Sequence, residues 1–357
     1  MENHNYERAT EAQPKRSDFS YDSSISAPQL QQVPEYRAVF IPIGLIVSAI
    51  ILVMSQISPT GRAESTFNAG NSAYDVQDYD RAIAKYDEAI RLKPDYGKAY
   101  NNRGLAYQAQ GSTDQAIADF AEAIRLNPGL GEAYYNRGLA YQAKGSYDQA
   151  IADFDEAIKF LYGAASVYNS RGLAYSDMGE YDKAIADFGL AIEHDLFHMT
   201  AAYYDNRGSA FLALEDYDAA IADFDAAIRV IVRGRLALAP DAEPAEAATV
   251  DQSVDEHLAE FQSQGDLPLI YVRRGFAYLS QDNLDQAFSD LDRAITLQPS
   301  LALAYLLRGM AYRGLGDYDR AIDDFQAVLS LGDDPEMQQE AELQLIEMGV
   351  PLMDGTS

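Results

Sequence analysis

The sequence predicts an all-α fold, in which helix–turn–helix units stack into an α-solenoid behind a single N-terminal transmembrane helix. Three observations predict it. The text from Asn102 to Pro128 (NRGLAYQAQGSTDQAIADFAEAIRLNP) returns 34 residues later almost unaltered, and repeats of that length are the signature of stacked helical units. Within it, Tyr100, Gly104 and Tyr107 share one helical face. Ala116, Ile117, Phe120, Ala123 and Ile124 then recur at three- and four-residue steps, the stripe an amphipathic helix buries. Finally, Ala38–Met54 runs seventeen residues without a charge.

In chain order, residues 1–37 are rich in Ser, Gln, Pro and Asn with no apolar period, and are expected to form a disordered tail. Residues 38–57 are expected to be a membrane anchor. Twenty residues at about 1.5 Å each cross a hydrocarbon core of about 30 Å, and Pro42 lies in the first turn, where a missing N–H costs little. Arg37 and Arg62 flank the span evenly, while Lys15 and Arg16 favour an inside N-terminus, which puts the following domain outside the cytoplasm. Gly61-Arg62-Ala63 also has the small-residue spacing of a signal-peptide cleavage site, although a leader of 37 residues favours an uncleaved anchor.

Of the formal net charge of −29, residues 1–63 contribute only −1, so −28 belongs to the rest. A surface this acidic repels phosphate backbones and disfavours nucleic acid as a partner. With no cysteine, disulfides, thiolate metal sites and a cysteine nucleophile are excluded.

Seven units follow, at 63–96, 97–130, 131–164, 165–198, 201–234, 268–301 and 302–335, aligned on Gly70, Gly104, Gly138, Gly172, Gly208, Gly275 and Gly309. Twelve residues after each stands Ala82, Ala116, Ala150, Ala184, Ala220, Ala287 or Ala321. Small side chains at both places let two helices approach closely, with rings such as Tyr141 and Phe154 filling the space around them.

An aromatic four residues before the glycine, a Tyr or Phe three after it, the alanine, an aromatic or leucine and a second alanine make up the pattern. Pro94, Pro128 or Pro299 closes some units. In this the chain resembles the tetratricopeptide repeat family, in the form of a membrane-anchored bacterial-type member, over residues 63–335. The resemblance implies a right-handed solenoid that binds protein partners. The first unit departs from the pattern at Thr66 and Ala73, the seventh has Val328 for the second alanine, and Tyr162, Leu196 and Val232 replace closing prolines.

Second helices open with the cap formers Asp78, Ser112, Ser146, Asp216, Asn283 and Asp317. Ser112 with Gln115, and Ser146 with Gln149, have capping-box spacing. An aspartate in the first turn of all seven (Asp80, Asp114, Asp148, Asp182, Asp218, Asp285, Asp319) meets the positive helix end. Six units also place an arginine before the glycine and an aspartate sixteen residues later: Arg103 and Asp119, Arg137 and Asp153, Arg171 and Asp187, Arg207 and Asp223, Arg274 and Asp290, Arg308 and Asp324. The first unit lacks both, having Ala69 and Lys85, so an ion pair between the two helices of a unit is expected.

Residues 235–267 interrupt the array with a degenerate unit or an insertion. Pro240 and Pro244 stop regular helix there, and Val250, Val254, Leu258 and Phe261 mark one helical face. Residues 336–357 are expected to form a polar-faced capping helix and a frayed tail.

No phosphate-cradling loop, GxSxG elbow or HExxH occurs. His194 and His198 are four apart, but they lie where a helix ends and two extra residues enter. The chain is therefore expected to be neither an enzyme nor a holder of metal or cofactor, and to have no small-molecule substrate.

The resemblance places a partner-binding groove on the first helices, at Asn101, Tyr135, Asn169 and Asp205, with Leu105, Leu139 and Leu173 one turn on. In the last two units Leu269, Val272, Phe276, Leu279, Leu303, Leu306 and Met310 make it apolar, unless the helix around Val254–Phe261 covers them. The expected function is a protein-interaction scaffold at a cell membrane, or an accessory subunit of an envelope enzyme or assembly. Its partners and oligomeric state stay open.

Overall fold

The computed structural model describes residues 58–161, 163–195, 200–236, 251, 254, 261, 265–332 and 334–351. The expected tail (1–37), anchor (38–57) and frayed end (352–357) lie outside the described residues. No described helix is long and apolar enough to cross a membrane.

Fifteen helices and no strand occur among the described residues. They are α1 (Pro59–Asp75), α2 (Tyr79–Leu92), α3 (Gly97–Ala109), α4 (Thr113–Leu126), α5 (Gly131–Ala143), α6 (Tyr147–Phe160), α7 (Ala165–Asp177) and α8 (Tyr181–His194). After these come α9 (Ala201–Ala213), α10 (Tyr217–Leu236), α11 (Leu267–Ser280), α12 (Leu284–Leu297), α13 (Ala302–Gly314), α14 (Tyr318–Leu331) and α15 (Pro335–Glu347). Each odd helix from α1 to α13 pairs with the even one after it, and each pair packs on the next, forming a solenoid.

The turn inside each pair requires one residue at positive φ. Gly111, Gly145, Gly179 and Gly316 take it at +71° to +77°, where glycine has no Cβ to clash. Gln77, Glu215 and Asp282 adopt the same conformation in the other three units, near +60°.

All seven first-turn aspartates stand in the first turn of their even helix. The caps divide by side chain. Asp78, Asp216 and Asp317 accept backbone N–H bonds at 3.2–3.3 Å. Ser112, Ser146 and Asn283 make no side-chain cap bond, so neither expected capping box forms.

The repeated glycine is a contact surface. A Cβ at Gly104, Gly138 or Gly172 would stand 2.6–2.7 Å from the ring of Phe120, Phe154 or Phe188, which is buried in the paired helix. Gly70 meets Tyr86 in the same way. The alanine twelve residues on is fully buried in all seven units. Glycine, ring and alanine thus set the close approach of the two helices.

Unit five stacks directly on unit six. α10 runs to Leu236, the chain returns at Leu267, and α11 packs on α10 as other first helices pack on the helix before them. Gln281 Nε2 reaches Asp218 at 2.7 Å, just as Gln110 reaches Asp80 between units one and two. Among the described residues no further helix pair stands between these two units, and most of the interruption at 235–267 lies outside the described residues. Its described residues are fastened to the stack: Val254 and Phe261 are fully buried with Phe224, Ile228, Tyr271 and Leu291, and Asp251 accepts from the Tyr271 hydroxyl at 2.9 Å.

Candidate partner-binding groove

The sixteen-residue spacing brings arginine and aspartate together in all six units. Each guanidinium donates Nε and Nη2 to both oxygens of its aspartate at 2.6–2.9 Å. The aspartates are at most 6 % exposed, and a bidentate charge-assisted pair satisfies them where water cannot. Tyrosine rings flank the arginines, as Tyr100 and Tyr107 do Arg103, at 5.3 and 5.9 Å from the guanidinium carbon.

A second carboxylate was not expected. Arg103, Arg171, Arg274 and Arg308 also donate Nη1 at 2.5 Å to an aspartate of the preceding unit: Asp87, Asp155, Asp225 and Asp292 respectively. These arginines therefore join units as well as helices. Three of the four partners lie sixteen residues before the arginine, so the spacing was present in the sequence in the reverse direction. Ala121 and Gly189 stand at the equivalent places in units two and four.

On the face of the odd helices a second set of side chains joins neighbouring units. Asn136 donates to Asn101 (3.0 Å), Tyr135 bonds Ser170 (3.3 Å), Asn206 donates to Asn169 (2.9 Å) and Arg273 to Asp205. In every case the residue three before the glycine meets the residue two before the glycine of the next unit. At the N-terminal end, Asn71 accepts from both Asn102 and the Tyr86 hydroxyl at 2.9 Å. Burial pushes that phenol up to about 12.

The four polar positions Asn101, Tyr135, Asn169 and Asp205 are accordingly bound within the array, and Asn101 is only 4 % exposed. They brace neighbouring units, and Tyr135, Asn169 and Asp205 are half-buried. Burial raises the Asp205 carboxyl against the opposing pull of Arg273, and its Oδ1 has no hydrogen-bond partner.

The neighbouring row, one residue after the glycine, is different. Leu105, Leu139 and Leu173 are half-buried, whereas Phe276 and Met310 are 42 % and 40 % exposed. Val272 and Leu306 turn out to be core residues, at 1 % and 7 %. Leu269, Leu279 and Leu303 are half-buried, the last two against the core around Tyr271. Val254 and Phe261 are buried in that core too, and they leave Phe276 and Met310 in solvent. Apolar side chains therefore follow the glycine in units two, three, four, six and seven, with Ser209 between them in unit five, and they are most exposed at Phe276 and Met310.

A polar hollow lies at the other end, lined by Asn71, Tyr74, Asp75, Tyr86, Asn102 and Leu105. His194 stacks on Tyr168 at 5.3 Å, and His198 lies outside the described residues. Among the described residues no group of three or more metal-ligating side chains occurs.

Family models described as tetratricopeptide repeat match residues 67–130, 102–166, 165–195, 201–231, 269–301 and 302–334. The gap from 232 to 268 coincides with the interruption. Among solved structures, the chain is similar to a tetratricopeptide repeat protein from Parabacteroides merdae. Identity is 18 %, the TM-score is 0.53, and 79 % of this chain and 98 % of that one are covered. The C-terminal part of a TPR repeat-containing protein from Cytophaga hutchinsonii matches at 16 % identity and TM-score 0.55, covering 77 % and 98 %. These two show the fold. MamA is 26 % identical at TM-score 0.44, over 46 % of this chain and 95 % of its own. No curated protein matches the sequence.

Proposed function

Because the chain belongs to the tetratricopeptide repeat family, we propose that it is a non-catalytic scaffold, tethered to a membrane, that holds a segment of a protein partner along the odd helices. The carrying observation is the division of labour on that face. Polar side chains join the units, and the row beside them is apolar in units two, three, four, six and seven, with Ser209 in unit five and with Phe276 and Met310 exposed. Binding there works by shape and by burial of apolar surface, at about 25 cal/mol per Å² removed from water. The acidity of the array favours partners with basic flanks and speeds their encounter.

The tether is read from residues 38–57, whose length and lack of charge suit a single span, with the solenoid on the extracytoplasmic side. A fixed anchor raises the local concentration of partners in or near the same membrane.

Copurification from detergent-solubilised membranes tests the proposal, comparing the natural chain with the double variant Phe276→Ser, Met310→Ser. The expected result is the same yield and melting temperature for both chains, with captured proteins depleted about tenfold from the variant. Capture that does not depend on these two residues would count against the groove. Diverse clients indicate a general scaffold, and one stoichiometric enzyme an accessory subunit of it.

A further inference from the structure

α15 begins a unit that the described residues do not complete. It lies one repeat period after α13, and in that register Leu343 takes the place of Gly309 and Glu342 that of Arg308. Gln339 and Ile346 take the places of Tyr305 and Tyr312. The opposite side of the helix is closed against α13 and α14: Ala341 and Leu345 are buried there with Phe325 and Val328, and Arg313 pairs with Glu347 at 2.9 Å.

In each preceding unit the glycine position faces a ring or leucine of that unit's own second helix, and in six of them the arginine grips its aspartate. Among the described residues no second helix covers the same face of α15. Leu343 and Ile346 are 47 % and 56 % exposed, and they line one hollow with Glu336, Gln339, Glu340 and Glu342. The polar outer face expected from the sequence, and required of an end that only meets water, is interrupted by this apolar pair.

We propose that this face receives an amphipathic helix of another protein, seated where the second helix of an eighth unit would lie. The chemistry of that helix follows from the two exchanged positions. Leucine in place of glycine needs a small residue opposite, Ala or Gly, where the array's own second helices carry a ring or leucine. Glutamate in place of arginine needs Lys or Arg opposite, where six of those helices carry aspartate. A second copy of this chain does not fit. Its own second helices are already seated in their units, and they bring a ring or leucine against Leu343, beside aspartate in six units and Lys85 in the first. Its α15 brings four glutamates and no basic residue. The site is separate from the groove on the odd helices and stands without it.

Two synthetic peptides with the sequence of residues 318–331 test the proposal, one unchanged and one carrying Asp324→Arg and Phe325→Ala. Each is fluorescently labelled and titrated by anisotropy against the full-length protein in detergent. The altered peptide is expected to bind about tenfold tighter than the unchanged one. Leu343→Asp in the protein should abolish the difference, and Glu342→Arg should transfer the preference to the unchanged peptide. All these positions are exposed, and thermal unfolding confirms that each variant is folded. Equal affinity for the two peptides, no binding of either, or binding that ignores Leu343→Asp would overturn the proposal. So would a dimer in light scattering that Ile346→Asp dissolves, because the occupant would then be a second copy.

Discussion

Replacing Arg274 by alanine is expected to cost about 3–5 kcal/mol, the range for breaking a buried ion pair by removing one partner. Arg274 is 5 % exposed and Asp290 not at all. The guanidinium also holds Asp225 of unit five at 2.5 Å and Asp251 of the interrupting segment at 3.0 Å. Without it Asp225, Asp251 and Asp290 lose the cation they share, Arg293 stands 3.7 Å from the last two, and burial already pushes the Asp290 carboxyl up to about 6. The effect should also be localised. In a stack whose stability is a sum of unit and interface terms, a weakened joint uncouples the two sides. Urea unfolding followed by hydrogen exchange should therefore split, with units six and seven losing protection before units one to five. Arg137→Ala, at an arginine that has Ala121 in the place where four others meet a second carboxylate, should lower stability without that split. A single cooperative transition for Arg274→Ala would show that the arginine braces only its own unit.

Gly138→Ala is expected to destabilise by about 1–3 kcal/mol, although alanine is the better helix former by about 1 kcal/mol. The added methyl would stand 2.6 Å from Cε1 of Phe154, a ring with no exposed surface. The ring has nowhere to move without shifting α6 from α5. Phe154→Ala alone should cost about 3–5 kcal/mol by leaving a cavity. The double variant should cost less than the sum of the two, because the methyl then enters vacated space. Urea midpoints of the four chains check this. Additive losses would mean that the glycine is needed for some reason other than contact with the ring.

Much of this was legible because it repeats. The register of the array and the close approach at Gly104 and Ala116 follow from residue types that recur at fixed spacing. The arginine–aspartate pairing follows from their joint absence in the first unit, at Ala69 and Lys85. The joints between units were hidden for a physical reason. Asn101 with Asn136, Tyr135 with Ser170 and Asp205 with Arg273 place different chemistry at one pair of positions, and the interruption stretches the last separation to 68 residues. No single residue pattern marks them, so these positions read as open ligand contacts. Val272 and Leu306 misled in the opposite sense. They are apolar at groove positions because their joints are apolar: Val272 packs in one core with Leu307 of unit seven, and Leu306 in another with Ala341 of α15. The end helix misled through composition: four glutamates suggest a polar cap, and only its phase against Gly309 shows Leu343 and Ile346 turned outward.

What repeats builds the array, then, and the proposed function puts the partner on the row that ends at the exposed Phe276 and Met310. Site-specific photo-crosslinking in membranes tests this most directly, with a benzophenone amino acid placed in turn at positions 169, 276 and 310. The account predicts crosslinks to a partner protein from 276 and 310, and from 169 none beyond the array itself. Partner crosslinks from 169 with none from 276 or 310 would contradict it, since the inter-unit joints would then be the binding surface.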